Sequence, residues 1–321
     1  MGLGPRLVAG HSDSYQAMPS GIASGVVVLF AFRRCGKARY FRIGGIGICM
    51  KAQATVFLGG GRITGALIAG LRLAGYRRAI VVHDRNAGKL RALRREFQVE
   101  VARDLKSAVE RAETLIVAVR PDSVAELLDE IVRCGAVSRA RLDRPRIAIS
   151  LAAGIPLKKL RGGLGSVRWA RAMPSPVCRI GRGLTAVTYD RAVSVADRKR
   201  VRELFELVGR VLEIPERRFD AFCVAYSPSH GYHALATLAK AAQEAGLDRK
   251  TALTAGAHAF AEAILYCRES GQSLADLLQE SATPGGIAAT TMEAMTKAGY
   301  EKAVAAGLRA GIRRARLNAK L

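Results

Sequence analysis

Residues 54–65 read Ala54-Thr55-Val56-Phe57-Leu58-Gly59-Gly60-Gly61-Arg62-Ile63-Thr64-Gly65, and Ala66-Leu67-Ile68-Ala69-Gly70-Leu71 follow. A short apolar run breaks into three glycines and enters a helical pattern, which is the order of a strand, a tight turn and a helix. Glycine lets the backbone approach an anion with no side chain in the way, and the next helix offers unpaired N–H groups and a positive dipole end. The stretch is therefore a candidate cradle for a dinucleotide pyrophosphate. Gly59 and Gly61 match the first two glycines of G-x-G-x-x-G, whereas the third position is Thr64 and Gly65 comes one residue late. A second apolar run, Ala79-Ile80-Val81-Val82, ends at His83-Asp84-Arg85-Asn86. That is roughly 20 residues after the loop, where such folds read the adenosine ribose.

Outward from this unit, apolar runs alternate with helical patterns. Strands are expected at 56–58, 80–82, 99–101, 114–119, 147–151, 167–172, 185–189 and 210–214. Helices are expected at 62–74, 87–97, 104–111, 122–134 and 194–208. Such alternation predicts an α/β fold, a Rossmann-like, doubly wound, mostly parallel sheet covered on both faces. After residue 217 the strand signals stop. Helices are expected at 219–245, 249–269, 274–281, 287–298 and 300–319, with Gly246, Gly271 and Gly299 as stop signals and Ser273 with Asp276 as a capping pair. About 100 residues of Ala- and Gly-rich helix bury little surface alone, so this all-α part is expected to be a dimerisation domain packed on a second copy of the chain. The expected divisions are 1–49, 50–216 and 217–321.

The chain of 321 residues carries 51 Lys and Arg against 27 Asp and Glu, a formal charge of +24, with 50% hydrophobic residues. The basic residues are scattered along helical stretches, without interleaved stacking aromatics, and read as a solvated surface that also attracts phosphorylated cofactors; no nucleic-acid partner is expected. Six cysteines at 35, 49, 134, 178, 223 and 267 form no C-x-x-C pair and read as reduced thiols of a cytoplasmic protein. His230 and His233 stand one helical turn apart without an acidic partner at matching spacing, so no metal site is expected. The apolar run Gly21–Phe32 is shorter than the about 18–20 residues that span a bilayer, and basic residues follow it where a signal cleavage site belongs. No membrane association is expected. Residues 1–49 are read as a disordered or extraneous extension, with the folding chain beginning at Met50-Lys51.

Three further loops fall at the carboxyl edge of the expected sheet: Ala118-Val119-Arg120-Pro121, Ile149-Ser150-Leu151-Ala152-Ala153-Gly154-Ile155 and Arg171-Ala172-Met173-Pro174. Together with Thr283-Pro284-Gly285-Gly286 in the helical half, the series resembles the Δ1-pyrroline-5-carboxylate reductase family over roughly residues 53–316. The resemblance implies a nucleotide-binding domain, a helical dimerisation domain and hydride transfer from a reduced nicotinamide cofactor to a cyclic imine acid, most simply 1-pyrroline-5-carboxylate to L-proline in proline biosynthesis. A cofactor-binding paralogue with another imine substrate, or with a regulatory role and no catalysis, is the alternative.

The resemblance also carries residue roles. The family's phosphate loop falls on Gly59, Gly61, Arg62, Ile63 and Thr64, and Thr64 stands where the family places a small residue other than glycine. Its Ala-Val-Lys-Pro loop falls on Ala118, Val119, Arg120 and Pro121, with Arg120 in place of lysine. The nicotinamide-proximal loop falls on Met173-Pro174-Ser175-Pro176-Val177, which puts Ser175 at the cofactor. The family's Ser-Gly-Ser-Gly-Pro-Ala-Tyr segment falls on Tyr226 to Tyr232 and keeps only the last Tyr. Its Thr-Ser-Pro-Gly-Gly-Thr-Thr loop falls on Ala282 to Ala288, so Ala288 replaces the threonine that faces the imine nitrogen. Thr283, Thr290, Thr291 and Tyr226 are the hydroxyls available in its stead, with Thr283 and Tyr226 the catalytic candidates. Gly285, Gly286, Ile287 and Ala288 form the candidate cradle for the substrate carboxylate at a helix N-terminus. Asp84 suits the ribose hydroxyl of NAD and Arg85 a 2′-phosphate; both cofactors stay open, with NADP slightly favoured.

Overall fold

The computed structural model describes residues 38–43, 46–51, 53–137 and 147–320. Strands β1 (Ala38–Ile43) and β2 (Ile46–Lys51) pair antiparallel, with Ala38 opposite Lys51, and belong to a unit separate from residues 52–321. The sequence reading contains no strand here, and its boundary at 49/50 falls inside β2. The apolar run at 21–32 lies outside the described residues.

In the second unit, β3 (Ala54–Leu58) is buried at every position. It lies between two parallel neighbours, which is why its sequence is a continuous apolar run and not an alternation. The chain continues through α1 (Arg62–Leu73), β4 (Ala79–His83), α2 (Ala87–Phe97), β5 (Glu100–Val101), α3 (Leu105–Arg111), β6 (Ala112–Val117) and α4 (Val124–Arg133). It then forms β7 (Ile147–Ser150), α5 (Leu157–Gly163), β8 (Trp169–Pro174), β9 (Gly183–Tyr189), α6 (Val195–Glu206) and β10 (Gly209–Glu213). Among the described residues these eight strands make one sheet in the order β10-β9-β8-β7-β6-β3-β4-β5, parallel except where β9 runs against β8.

Each face carries its own apolar layer. On one, Leu105, Val109, Leu128, Ile131, Leu160 and Trp169 pack under α3, α4 and α5. On the other, Leu67, Ile68, Leu71, Leu93, Val201 and Phe205 pack under α1, α2 and α6. The chain leaves β3 toward β4 on one side and later returns to β6 on the other, so the carboxyl ends of β3 and β6 form the switch point where open α/β sheets bind ligands.

From Glu216 onward the described chain is helical: α7 (Glu216–Ala225), α8 (Ser229–Glu244), α9 (Arg249–Glu269), α10 (Leu274–Ser281), α11 (Ile287–Lys297) and α12 (Tyr300–Asn318). The single helix expected at 219–245 is two helices, because Pro228 has no N–H and sits at the N-cap of α8. The short α5, between Pro156 and Leu164, has no counterpart among the expected helices. Arg171, buried in β8, joins the sheet to α7: it pairs with Asp220, lies 3.5 Å from Glu216, and stacks 4.5 Å over the Phe219 ring. Glu216 in turn accepts the Leu157 N–H at 2.6 Å, capping α5. No described helix is long and apolar enough to cross a membrane.

Candidate cofactor and substrate site

The glycine loop is held on three sides. Gly59 has φ +108°, donates its N–H to the His83 carbonyl at 2.8 Å, and leaves no room for a side chain, since a Cβ there would lie 2.6 Å from the Ala118 carbonyl. Only glycine combines that backbone angle with that approach. Gly60 donates to Asp84 Oδ2 at 2.7 Å, and Thr64 Oγ1 donates to the Gly59 carbonyl at 2.6 Å. Gly61 is the N-cap of α1 and supplies no capping side chain; the first turn contains no acidic residue. The ladder begins with Gly65 N–H to the Gly61 carbonyl at 3.1 Å, so the amides of Arg62 and Ile63 have no partner within the helix. A Cβ on Gly61 would meet nothing within 4 Å. An open face, unpaired amides and an uncompensated dipole end are what a pyrophosphate requires, so these residues fit a dinucleotide.

The loop opens into a cleft of about 620 Å³ between the ends of β3, β4 and β6. The structure brings Gly59, Gly61, Asp84, Arg85, Ala118, Val119 and Arg120 together around it. Pro121 starts the 3-10 turn that leads into α4. Ile63 is half-buried and packs against the apolar layer beneath α1, and Thr64 is fully buried. Ser175 is also buried; its Oγ accepts the Val177 N–H at 3.2 Å and caps the turn at 176–180.

Asp84 has a task the sequence did not assign. Its carboxylate takes N–H groups from Gly60 and Asn86, both at 2.7 Å, with Lys89 Nζ at 3.7 Å, and so ties the glycine loop to β4. Arg85 is engaged by Glu126 of α4 at 3.2 Å, and Arg120 by Asp122 at 2.7 Å. His83 lines the same cleft with its Nδ1 buried and unpartnered. Desolvation holds this imidazole below the usual histidine range, against the opposing pull of the Glu130, Asp84 and Asp104 carboxylates. The pairing of Glu126 with Arg85 and of Arg171 with Asp220 spans 41 and 49 residues of sequence, and no local motif signals either.

In the helical half, Gly285 has φ +73° and the Gly286 N–H closes a turn onto the Thr283 carbonyl at 2.9 Å. Gly286 then caps α11 without a side chain, leaving the first amides of that helix exposed beside Ile287 and Ala288. The hydroxyls differ in their commitments. Thr290 Oγ1 donates to the Gly286 carbonyl at 3.0 Å and Thr291 Oγ1 to the Ile287 carbonyl at 2.9 Å. Tyr226 Oη accepts the Leu184 N–H at 3.0 Å, which anchors it to β9. Thr283 is exposed and makes no side-chain bond among the described residues. His230 Nε2 meets the Val224 carbonyl at 2.7 Å and His233 Nδ1 meets Thr237 at 3.3 Å. The four described cysteines are unpaired, and burial pushes the Cys178 and Cys223 thiols up to about 11 and about 12.

Residues 55–154 match the family described as NADP oxidoreductase coenzyme F420-dependent, and residues 216–317 match pyrroline-5-carboxylate reductase dimerisation. The pyrroline-5-carboxylate reductase of Synechocystis is 27% identical over 237 residues, 73% of this chain and 86% of that protein. That of Mycobacterium tuberculosis is 28% identical over 277 residues, 79% of this chain and 92% of its own. Among solved structures, the Plasmodium falciparum pyrroline carboxylate reductase with NADP bound shares the fold, with a TM-score of 0.73 at 20% identity, over 83% of this chain and 98% of that one. In chain order, both domains are thus similar to those of pyrroline-5-carboxylate reductases.

Proposed function

We propose that the chain reduces a cyclic imine acid, 1-pyrroline-5-carboxylate, to L-proline with NADPH or NADH. The observation that carries this reading is the pairing, in one chain, of a switch-point dinucleotide cradle at Gly59–Thr64 with a reductase dimerisation domain at 216–317.

When bound, a reduced nicotinamide supplies the hydride. The chain's own residues hold and orient. The amides of Arg62 and Ile63 and the open side of Gly61 receive the pyrophosphate, while Asp84 and Thr64 keep the loop in its receiving shape. The exposed amides at the start of α11, behind Gly285 and Gly286, receive the substrate carboxylate. A cyclic imine arrives protonated, so the remaining demand is one hydrogen-bond partner at its nitrogen and exclusion of water. The protonated nitrogen donates, so it needs an accepting oxygen: Thr283 Oγ1 is exposed with no side-chain bond among the described residues, whereas Tyr226 Oη already accepts the Leu184 N–H.

A second copy completes the helical half. Ile287 is 90% exposed, Tyr232 73% and Leu274 63%, an apolar load that a single copy leaves in water. The chain therefore works as a homodimer or larger assembly, and we place it in the cytoplasm.

Cofactor absorbance followed with the purified full chain, using pyrroline-5-carboxylate and the six-membered piperideine analogue, tests the reading. Oxidation with the five-membered imine supports it; oxidation with the larger ring alone moves the substrate; bound cofactor with no oxidation by either refutes the enzyme.

A further inference from the structure

The ribose end of the cleft carries an ion pair that the loop itself does not need. Arg85 Nη1 reaches across from the end of β4 to both carboxylate oxygens of Glu126, at 3.2 and 3.3 Å, in the first turn of α4. The two side chains are 72% and 60% exposed, so the pair is weak and exchanges with solvent or with a ligand. Neighbouring charges are committed elsewhere: Asp84 to Gly60, Asn86 and Lys89, and Arg120 to Asp122. Glu130 also lines the cleft. A 2′-phosphate is a bidentate, doubly charged partner for a guanidinium, but with Nη1 of Arg85 held by Glu126 it must either displace that carboxylate or bind beside it. A 2′-hydroxyl requires neither.

We propose that Glu126 sets this chain's discrimination between phosphorylated and unphosphorylated ribose, by holding Arg85 and so lowering affinity for the 2′-phosphate. The proposal rests on the dinucleotide reading of the cleft. Glu126 acts here as a positioning residue, and it also favours the α4 N-terminus electrostatically, a role that changes stability without changing ligand choice.

Calorimetric titration of the full chain with 2′,5′-ADP and with 5′-ADP isolates the 2′-phosphate without turnover. Glu126→Gln is expected to raise affinity for 2′,5′-ADP relative to 5′-ADP by about five-fold or more, the upper range for releasing an exposed pair plus removal of a like charge. In an Arg85→Gln background the same substitution is expected to change the ratio by clearly less, because only the removal of the like charge remains. A ratio unmoved by Glu126→Gln, or moved equally with and without Arg85, overturns the proposal; a wild-type chain that binds neither nucleotide overturns the dinucleotide reading and the proposal with it. Thermal midpoints of each variant distinguish loss of folding from loss of discrimination.

Discussion

The buried Thr64 hydroxyl donates to the Gly59 carbonyl at 2.6 Å, so the first turn of α1 is bonded to the start of its own glycine loop. In the dinucleotide fingerprint the third glycine allows close packing of helix on strand. Here a threonine fits because its hydroxyl is satisfied inside the loop and its methyl group packs with it, at zero exposure. Thr64→Val keeps the shape and leaves the Gly59 carbonyl without that donor, which costs about 1–3 kcal/mol for a buried group. The unfolding free energy from denaturant titration is expected to fall by that amount and NADPH affinity to fall with it, while Thr64→Ser retains most of both. A Thr64→Val chain with wild-type stability and affinity would show that the bond does not shape the loop.

Gly61 gives the opposite expectation. A side chain at this position meets open space, so Gly61→Asp folds with a stability within about 0.5 kcal/mol of wild type, as for a substitution that meets no packed neighbour. Its carboxylate then faces the pyrophosphate beside the α1 N-terminus. Calorimetry is expected to detect no binding of NADPH or NADH; undiminished affinity would remove the cofactor from this loop.

Much of this organisation is legible along the chain, and the exceptions have physical causes. The bounds of α9 and α10 agree with the sequence expectation because Asp248 and Ser273 cap them with side-chain bonds to the first turn, a signal written locally. Apolar spacing across residues 219–245 hides the break at Pro228, which was the stronger signal. The mixed edge of the sheet, where β9 reverses against β8, leaves no trace in hydrophobic pattern, since strand direction does not alter alternation. At the site, the glycines announce the cradle, yet nothing in the sequence shows that Asp84, expected at the ribose, also accepts the Gly60 N–H at 2.7 Å. Thr64 and Ser175, expected at the cofactor, have buried side chains bonded to the loops they hold, a role that no local pattern signals.

His83 makes the cleft sensitive to acid. Its folded pKa is depressed below the unfolded value of 6.5, so the unfolded chain binds the proton more readily. The associated stability is fully present above pH 6.5 and is lost as pH falls through the folded pKa. Denaturation midpoints measured from pH 7.5 down to about pH 5 are expected to fall more steeply for wild type than for His83→Gln, whose side chain does not titrate in that window. Parallel profiles would show that His83 carries no such linkage.

Thr283 separates chemistry from cofactor binding. Thr283→Val is expected to lower kcat/KM for the imine by roughly 10-fold to 100-fold, the range for one hydrogen bond to a charged partner, with NADPH affinity unchanged. Thr290→Val and Thr291→Val remove hydroxyls that already serve helix carbonyls and are expected to have smaller effects. Equal losses in all three variants would mean that no single hydroxyl replaces the one absent at Ala288.

The central claim is hydride delivery to the imine carbon, and isotope transfer measures it directly. The full chain is incubated with pyrroline-5-carboxylate and NADPH deuterated at the nicotinamide C4, on either face in separate reactions, and proline is analysed by mass spectrometry and NMR. The account predicts deuterium at the ring carbon that was doubly bonded to nitrogen, from one of the two faces. Proline lacking the label in both reactions, or no proline from a chain that binds the cofactor, would contradict it.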